Sequence, residues 1–196
     1  MSGGARRPGQ REKPAPATAV RVSLTDSATA GDGEEVWPCY RDVFADQPSY
    51  ERWRERVWDR HRTRDGFRLA RAWLPEGEAL SGFAYGYTGR RGQWWTDQAA
   101  RVLPVAAADA WLDGHFELVS IAVAPDARGR AIGRTLLRTL TGGLPHERLL
   151  LMTTSDEDDP ARRLYASEGW MVLGPGVGDG QVIMAKRQTA TASTSS

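Results

Sequence analysis

The chain has one cysteine, Cys39, so no disulfide can form within it and no cysteine-rich metal site can be built. Histidine is almost as scarce. His61, His115 and His146 stand far apart, with no pair at the i, i+4 spacing that sets two imidazoles on one helical face, and no metal is expected. Long apolar runs are missing as well: Ile121 to Ala124 and Leu149 to Met152 fall far short of the roughly 18 to 20 residues of a spanning helix. No membrane association is expected. Met1 to Pro16 carries no apolar stretch of the kind a secretory signal needs, and a cytoplasmic location is the expectation. Charge of one sign is not in excess. The 26 Lys and Arg against 25 Asp and Glu leave a net charge of +1, which gives no general pull toward nucleic acid or an anionic surface. Lysine is nearly absent, with only Lys13 and Lys186, a bias that reads as genome composition rather than chemistry.

With 40% hydrophobic and 26% charged residues, the rest reads as a soluble globular chain of a length suited to one domain. Residues 1–17 and 188–196 are dominated by Gly, Pro, Arg, Thr, Ala and Ser. They hold too little apolar surface to offset chain entropy, so disordered tails are expected around a domain at 18–187. Val20, Val22 and Leu24 alternate as a strand; Trp37, Tyr40, Val43 and Phe44, then Trp53, Val57 and Trp58, recur at helical spacing on either side of Gln47-Pro48. Two alternating runs, Gly66 to Trp73 and Leu80 to Thr88, flank Pro75-Glu76-Gly77 as a hairpin. Trp94 to Trp111 suggests short helices broken at Pro104. His115 to Ala124 is a strand, Ile132 to Leu140 a helix stopped by Gly142-Gly143, and Leu149 to Thr153 a buried strand. Asp159 as N-cap and Pro160 at the first helical position open a helix that runs to Ser167, before two closing strands at Trp170 to Leu173 and Gln181 to Ala185.

The most informative stretch is the strand, turn and helix from Phe116 to Leu140. Arg128-Gly129-Arg130-Ala131-Ile132-Gly133-Arg134 lies where the chain opens a helix, so several backbone N–H groups lack intrahelical partners and converge outward. The helix dipole places roughly +0.5 charge there, and three arginines add to it. A pyrophosphate fits such a site; taken alone, so does an ordinary capped helix with a basic surface.

In this turn the chain resembles the GNAT superfamily of acyl-CoA-dependent acetyltransferases, whose pattern Arg/Gln-x-x-Gly-x-Gly/Ala matches Arg128 to Gly133, with Ala131 in place of the first glycine. A second segment, Asp158-Asp159-Pro160-Ala161-Arg162-Arg163-Leu164-Tyr165 followed by Gly169-Trp170, resembles the family's Asn-x-(x)-Ala-x-x-Leu-Tyr helix, with Asp158 or Asp159 standing for the asparagine. The resemblance implies an α/β fold with a central, mixed, mostly antiparallel sheet of six to seven strands, flanked by helices and splayed between the fourth and fifth strands. It implies acetyl-CoA as acyl donor, with no metal, and transfer to an amine of a small molecule or peptide in a ternary complex. A homodimer is left open. Arg128, Gly129, Arg130, Ala131, Ile132, Gly133 and Arg134 would cradle the pyrophosphate. Ile121, Ala122 and Val123 would pair with the pantetheine arm as an added strand does, a backbone N–H near Val123 would face the thioester oxygen, and Asp159 would lie beside the arm. Glu117 would take the proton of the acceptor and Tyr165 would protonate the leaving thiolate. Tyr85 and Tyr87 would flank the acceptor, with Gly89 to Trp95 nearby. Each also has a plain structural reading, as a strand glutamate in water or a core tyrosine. A non-catalytic acyl-CoA-binding module of the same fold stays open; a nucleic-acid binder using the arginine-rich segments is disfavoured by the balanced charge.

Overall fold

The computed structural model describes residues 19–189; the tail expected at 1–17, and all but Gln188 and Thr189 of that at 188–196, lie outside them. Strand β1 (Arg21–Thr25) leads to helix α1 (Ala30–Phe44). That helix starts ahead of its apolar periodicity because a capping box holds it: the Asp32 amide donates to Thr29 Oγ at 3.2 Å, and the Thr29 amide donates to Asp32 Oδ2 at 2.7 Å. Helix α2 (Tyr50–Trp53), capped by Ser49, runs through a π-helical turn (Arg54–Trp58) into α3 (Asp59–His61), and the Asp59 amide bonds the carbonyl of Arg54. Such a turn inserts one residue and rotates the face that follows.

The expected hairpin is β2 (Arg68–Trp73) and β3 (Leu80–Gly89), and Pro104 separates α4 (Trp94–Val102) from α5 (Val105–Trp111). Then come β4 (His115–Val123), α6 (Ile132–Thr141), β5 (Arg148–Thr154), α7 (Pro160–Ser167), β6 (Met171–Pro175) and β7 (Gln181–Arg187). They form one seven-stranded sheet in the order β1-β2-β3-β4-β5-β7-β6, antiparallel except at β4 and β5.

Both faces of this sheet are covered. Ile132, Leu136, Leu137 and Leu140 of α6 pack on Ala70, Ala84, Phe116 and Leu149 on one face. Val36, Tyr40, Trp53 and Trp58 of the N-terminal helices pack on Leu69, Phe83 and Tyr85 on the other. Every residue of β3 is buried in consequence.

The β3–β4 ladder carries the irregularity that matters for the site. Tyr85 pairs with Ser120 but Gly86 pairs with Leu118, so Val119 is an extra residue on β4. Such a bulge bends its strand and re-aims the side chains beyond it. Gly86 permits the close approach: a Cβ there would lie 2.7 Å from the Phe116 ring and closer still to the carbonyl oxygen of Glu117. Gly86→Ala is therefore expected to cost about 1–3 kcal/mol of unfolding free energy, read from chemical denaturation. An unchanged midpoint would show that the ladder yields at this point.

Candidate active site

Strands β4 and β5 pair at only two positions, Phe116 with Leu149 and Glu117 with Leu150. Beyond Glu117 they part, while the opposite edge of β4 stays bonded to β3 as far as Val123. The edge of β4 toward β5 is left without a strand partner, and a cleft of about 740 Å³ opens beside it. Ile121, Ala122 and Val123 line the cleft from β4, Arg128, Gly129 and Ala131 to Arg134 from the turn and α6, and Asp159 to Ala161 and Leu164 from α7.

The turn into α6 leaves backbone N–H groups exposed at a helix start. Gly129 (φ 76°) and Ala131 (φ 59°, ψ 12°) are both left-handed, which folds the chain back so that α6 begins facing the cleft. No side chain caps α6, and its first backbone bond runs from the Thr135 amide to the Ala131 carbonyl at 3.1 Å. The amides of Ile132, Gly133 and Arg134 are therefore free of intrahelical acceptors at the positive end of the helix. Arg128 and Arg134 bring charge to the same wall. Arg134 is steadied by Glu168 at 2.9 Å and by the Ser167 hydroxyl at 3.1 Å. Arg130, expected in the same cradle, is turned out of it into an ion pair with Glu76 at 2.7 Å. Asp159 lines the cleft but spends Oδ1 on capping α7, accepting from the Ala161 and Arg162 amides at 2.8 and 3.1 Å.

A second pocket, about 350 Å³, lies along the same strand. Glu117 and Val119 of β4, Tyr87 of β3, His61 of α3, Trp94 and Trp95 at the start of α4, and Arg56, Arg60 and Arg64 line it. Glu117 is 5% exposed, and its Oε2 has no partner among the described residues. Burial raises its carboxyl to about 8, against the opposing pull of the Arg64 charge and the Tyr87 hydroxyl, which faces it across the ladder. The His61 ring, depressed to about 4 by burial and then by Arg64 and Arg60, is neutral at pH 7. Its Nδ1 lies 3.1 Å from the Tyr85 hydroxyl. Tyr85 is thus wholly buried beneath His61, and only Tyr87 of the expected pair reaches the pocket.

Tyr165 lies on α7 behind the cleft wall rather than among its lining residues. It is 4% exposed, its ring centroid is 6.1 Å from that of Trp170, and burial pushes its hydroxyl above the ordinary tyrosine range.

Residues 33–170 match the acetyltransferase (GNAT) family. The chain belongs to that family. It is 38% identical over 109 residues to a GCN5-like protein acetyltransferase of Mycobacterium tuberculosis, a match that spans 50% of this chain and 53% of that one. The chain thus spans about half the length of the curated relative it matches. An acetyltransferase structure from Thermus thermophilus superposes with a TM-score of 0.60 at 16% identity, covering 88% of this chain and 99% of that one. The ribosomal-protein-S18-alanine N-acetyltransferase of Escherichia coli does so with 0.54 at 17% identity, covering 90% and 99%. These likenesses carry the fold.

GNAT acetyltransferases use acetyl-CoA, and the free edge of β4 running toward an uncapped helix start suits an extended donor that ends in phosphates. Among the described residues no group of three or more His, Cys, Asp or Glu could hold a metal ion, and no helix is long and apolar enough to cross a membrane. Sequence reasoning passed over Val43 and Phe44, which close one side of the larger cleft, and Arg56, Arg60, His61 and Arg64 around Glu117. The four-residue spacing of the arginines was visible, but on a helix such a stripe reads as a solvated face until the sheet beneath it is known.

Ala131 holds a left-handed conformation that costs an L-residue about 1–2 kcal/mol. Ala131→Gly relieves this and gives back part of it in chain entropy, about 0.4–1 kcal/mol. The expected outcome is a melting midpoint higher by up to about 4 °C, measured without ligand; a lower midpoint would place the strain elsewhere.

Proposed function

We propose that the chain transfers acetyl from acetyl-CoA to a primary amine of a small molecule or peptide, by direct attack in a ternary complex. The observation that carries this reading is a single strand serving two sites: beyond the fork, β4 lines the donor cleft, and before it β4 holds a buried carboxylate in a second pocket.

The amides of Ile132 to Arg134, with Arg128, hold the pyrophosphate, and Ile121 to Val123 receive the pantetheine arm along the open edge. A β4 backbone N–H near Val123 faces the thioester oxygen where charge develops. Glu117 accepts the proton of the acceptor ammonium, which frees the nitrogen lone pair. The N–C bond then forms as the C–S bond breaks; the nitrogen gives up its second proton to solvent as it becomes an amide, and Tyr165, on the helix that lines the cleft through Leu164, supplies a proton to the departing thiolate and regains one from solvent. Burial keeps that phenol protonated.

Two measurements test the reading. Acetyl-CoA at millimolar concentration should raise the melting midpoint, and Gly133→Asp should abolish the rise, because a carboxylate there faces the phosphates. A Cβ at Gly133 would lie 3.3 Å from the Leu164 side chain and 3.7 Å from that of Val123, so Leu164 must give way by a few tenths of an ångström and the fold of the variant is checked by circular dichroism first. A folded variant that still responds would remove the anion cradle from this turn.

The second measurement is the pH dependence of kcat/KM. A carboxyl raised from 4.5 to about 8 carries its proton below that range, so the basic form, and the rate with it, grows as pH rises through about 8. Glu117→Gln should lose that limb, keep only the ionisation of the amine near pH 10, and fall about 10²–10⁴-fold below wild type at neutral pH. A loss equal at every pH would make Glu117 an anchor for the ammonium rather than a base.

A further inference from the structure

The pocket around Glu117 has a one-sided charge. Three of its lining side chains, Arg56 on the π turn, Arg60 on α3 and Arg64 just after it, are cations, and Glu117 is the one carboxylate among them. Two acids of the same segment are engaged elsewhere. Asp59 pairs with Arg62 at 2.7 Å and Arg54 at 3.6 Å, and Asp65 pairs with Arg90. Among the described residues, Arg56, Arg60 and Arg64 have no ion-pair partner. Arg64 instead lies 5.8 Å over the Tyr87 ring, with Tyr87 directly across the ladder from Glu117. Guanidinium groups that line a concave site and pair with none of its carboxyls present free N–H forks, the geometry that recognises a carboxylate. The volume of about 350 Å³ sits at the low end of the roughly 300–1,000 Å³ of small-molecule pockets, which favours a compact guest over a protein segment.

We infer that this pocket selects a small acceptor amine bearing its own carboxylate, an amino-acid-like zwitterion whose anionic end is held by Arg56, Arg60 and Arg64 while its ammonium lies at Glu117. The inference rests on the acetyl-transfer reading, which makes this the acceptor's pocket. Its corollary is exclusion: a polyamine or aminoglycoside would bring further positive charge against three arginines, and like charges at close quarters select against such guests.

The test uses amines matched in length and different in charge: β-alanine, its amide and 1,3-diaminopropane, with glycine and 4-aminobutyrate to vary the spacing. Thiol release from acetyl-CoA should follow carboxylate, then amide, then diamine, with at least about tenfold in kcat/KM between carboxylate and amide, as one charge-assisted contact supplies. In the Arg60→Gln, Arg64→Gln double variant the ratio between carboxylate and amide should fall toward one. A diamine equal to or better than β-alanine, or an order that the double variant leaves unchanged, would overturn the inference. So would a peptide with an acidic second residue that outcompetes every small acceptor.

Binding is read separately through the fluorescence of Trp94 and Trp95, both of which line the pocket. A saturable change with β-alanine that is lost in the double variant, together with no thiol release from any amine, would uphold the pocket's selectivity and sink the acetyl-transfer reading. Turnover of diamines with no response to β-alanine would do the reverse.

Discussion

A strand in a buried sheet has two edges of N–H and C=O groups, and each must find a partner. In this protein β4 meets that demand on one edge from β3 along its length, and on the other from β5 for only two positions. The rest of the molecule is arranged around the open remainder. It lies at the centre of the sheet rather than at a rim, so no second chain can reach it as it could an exposed edge strand. It runs into the cleft that ends at α6, and its amides are available to an extended polar ligand and to little else. The anion cradle gains its meaning from this, since a helix start with free amides is common and one at the end of an unpaired central edge is not.

The fork depends on packing that lies away from it. Leu136, Leu137 and Leu140 anchor α6 against Ala70 and Ala84, small residues that let the helix sit low on the sheet and bring its first turn to the level of Val123. The turn that delivers it there uses a left-handed alanine, and the strain is tolerated because α6 is held by its buried face. On the other side, the bulge at Val119 keeps β3 and β4 together while the direction of the side chains changes, so that one strand faces two different chemistries along its length.

Electrostatically the two ends of β4 differ in kind. The cleft at α6 carries fixed positive charge from backbone dipoles and from Arg128 and Arg134, the latter matched by Glu168. The pocket at Glu117 carries unmatched guanidinium groups over a carboxyl that burial holds near neutrality. Desolvation outweighs the attraction of Arg64, which is why the carboxyl stays high in spite of its cationic neighbours. The same burial that takes this carboxyl out of water raises its affinity for the proton.

Much of this was legible along the chain because it is local. Hydrophobic period placed the elements, Asp159-Pro160 marked the start of α7, and the Arg128 to Gly133 turn with the helix ending in Leu164-Tyr165 carried the family resemblance and, with it, the fork between β4 and β5. What escaped depends on residues distant in sequence. The insertion of β7 between β5 and β6 is a choice of sheet order that no local pattern states. Tyr85 and Tyr87 share a face by the period of two, yet His61, from a helix more than twenty residues earlier, covers one and leaves the other in the pocket. Arg130 has the spacing of a phosphate ligand, but Glu76 from the β2–β3 turn stands within reach and takes it. Arg56, Arg60 and Arg64 form a stripe whose phase is reset by the π turn before it meets the sheet. The sequence by itself determined the elements, the family resemblance and the two segments that line the cleft, since these follow from periodicity and from backbone groups left free at a turn. The tertiary structure alone decided which charges remain unpaired around Glu117, because pairing is settled by what packing brings within a few ångströms.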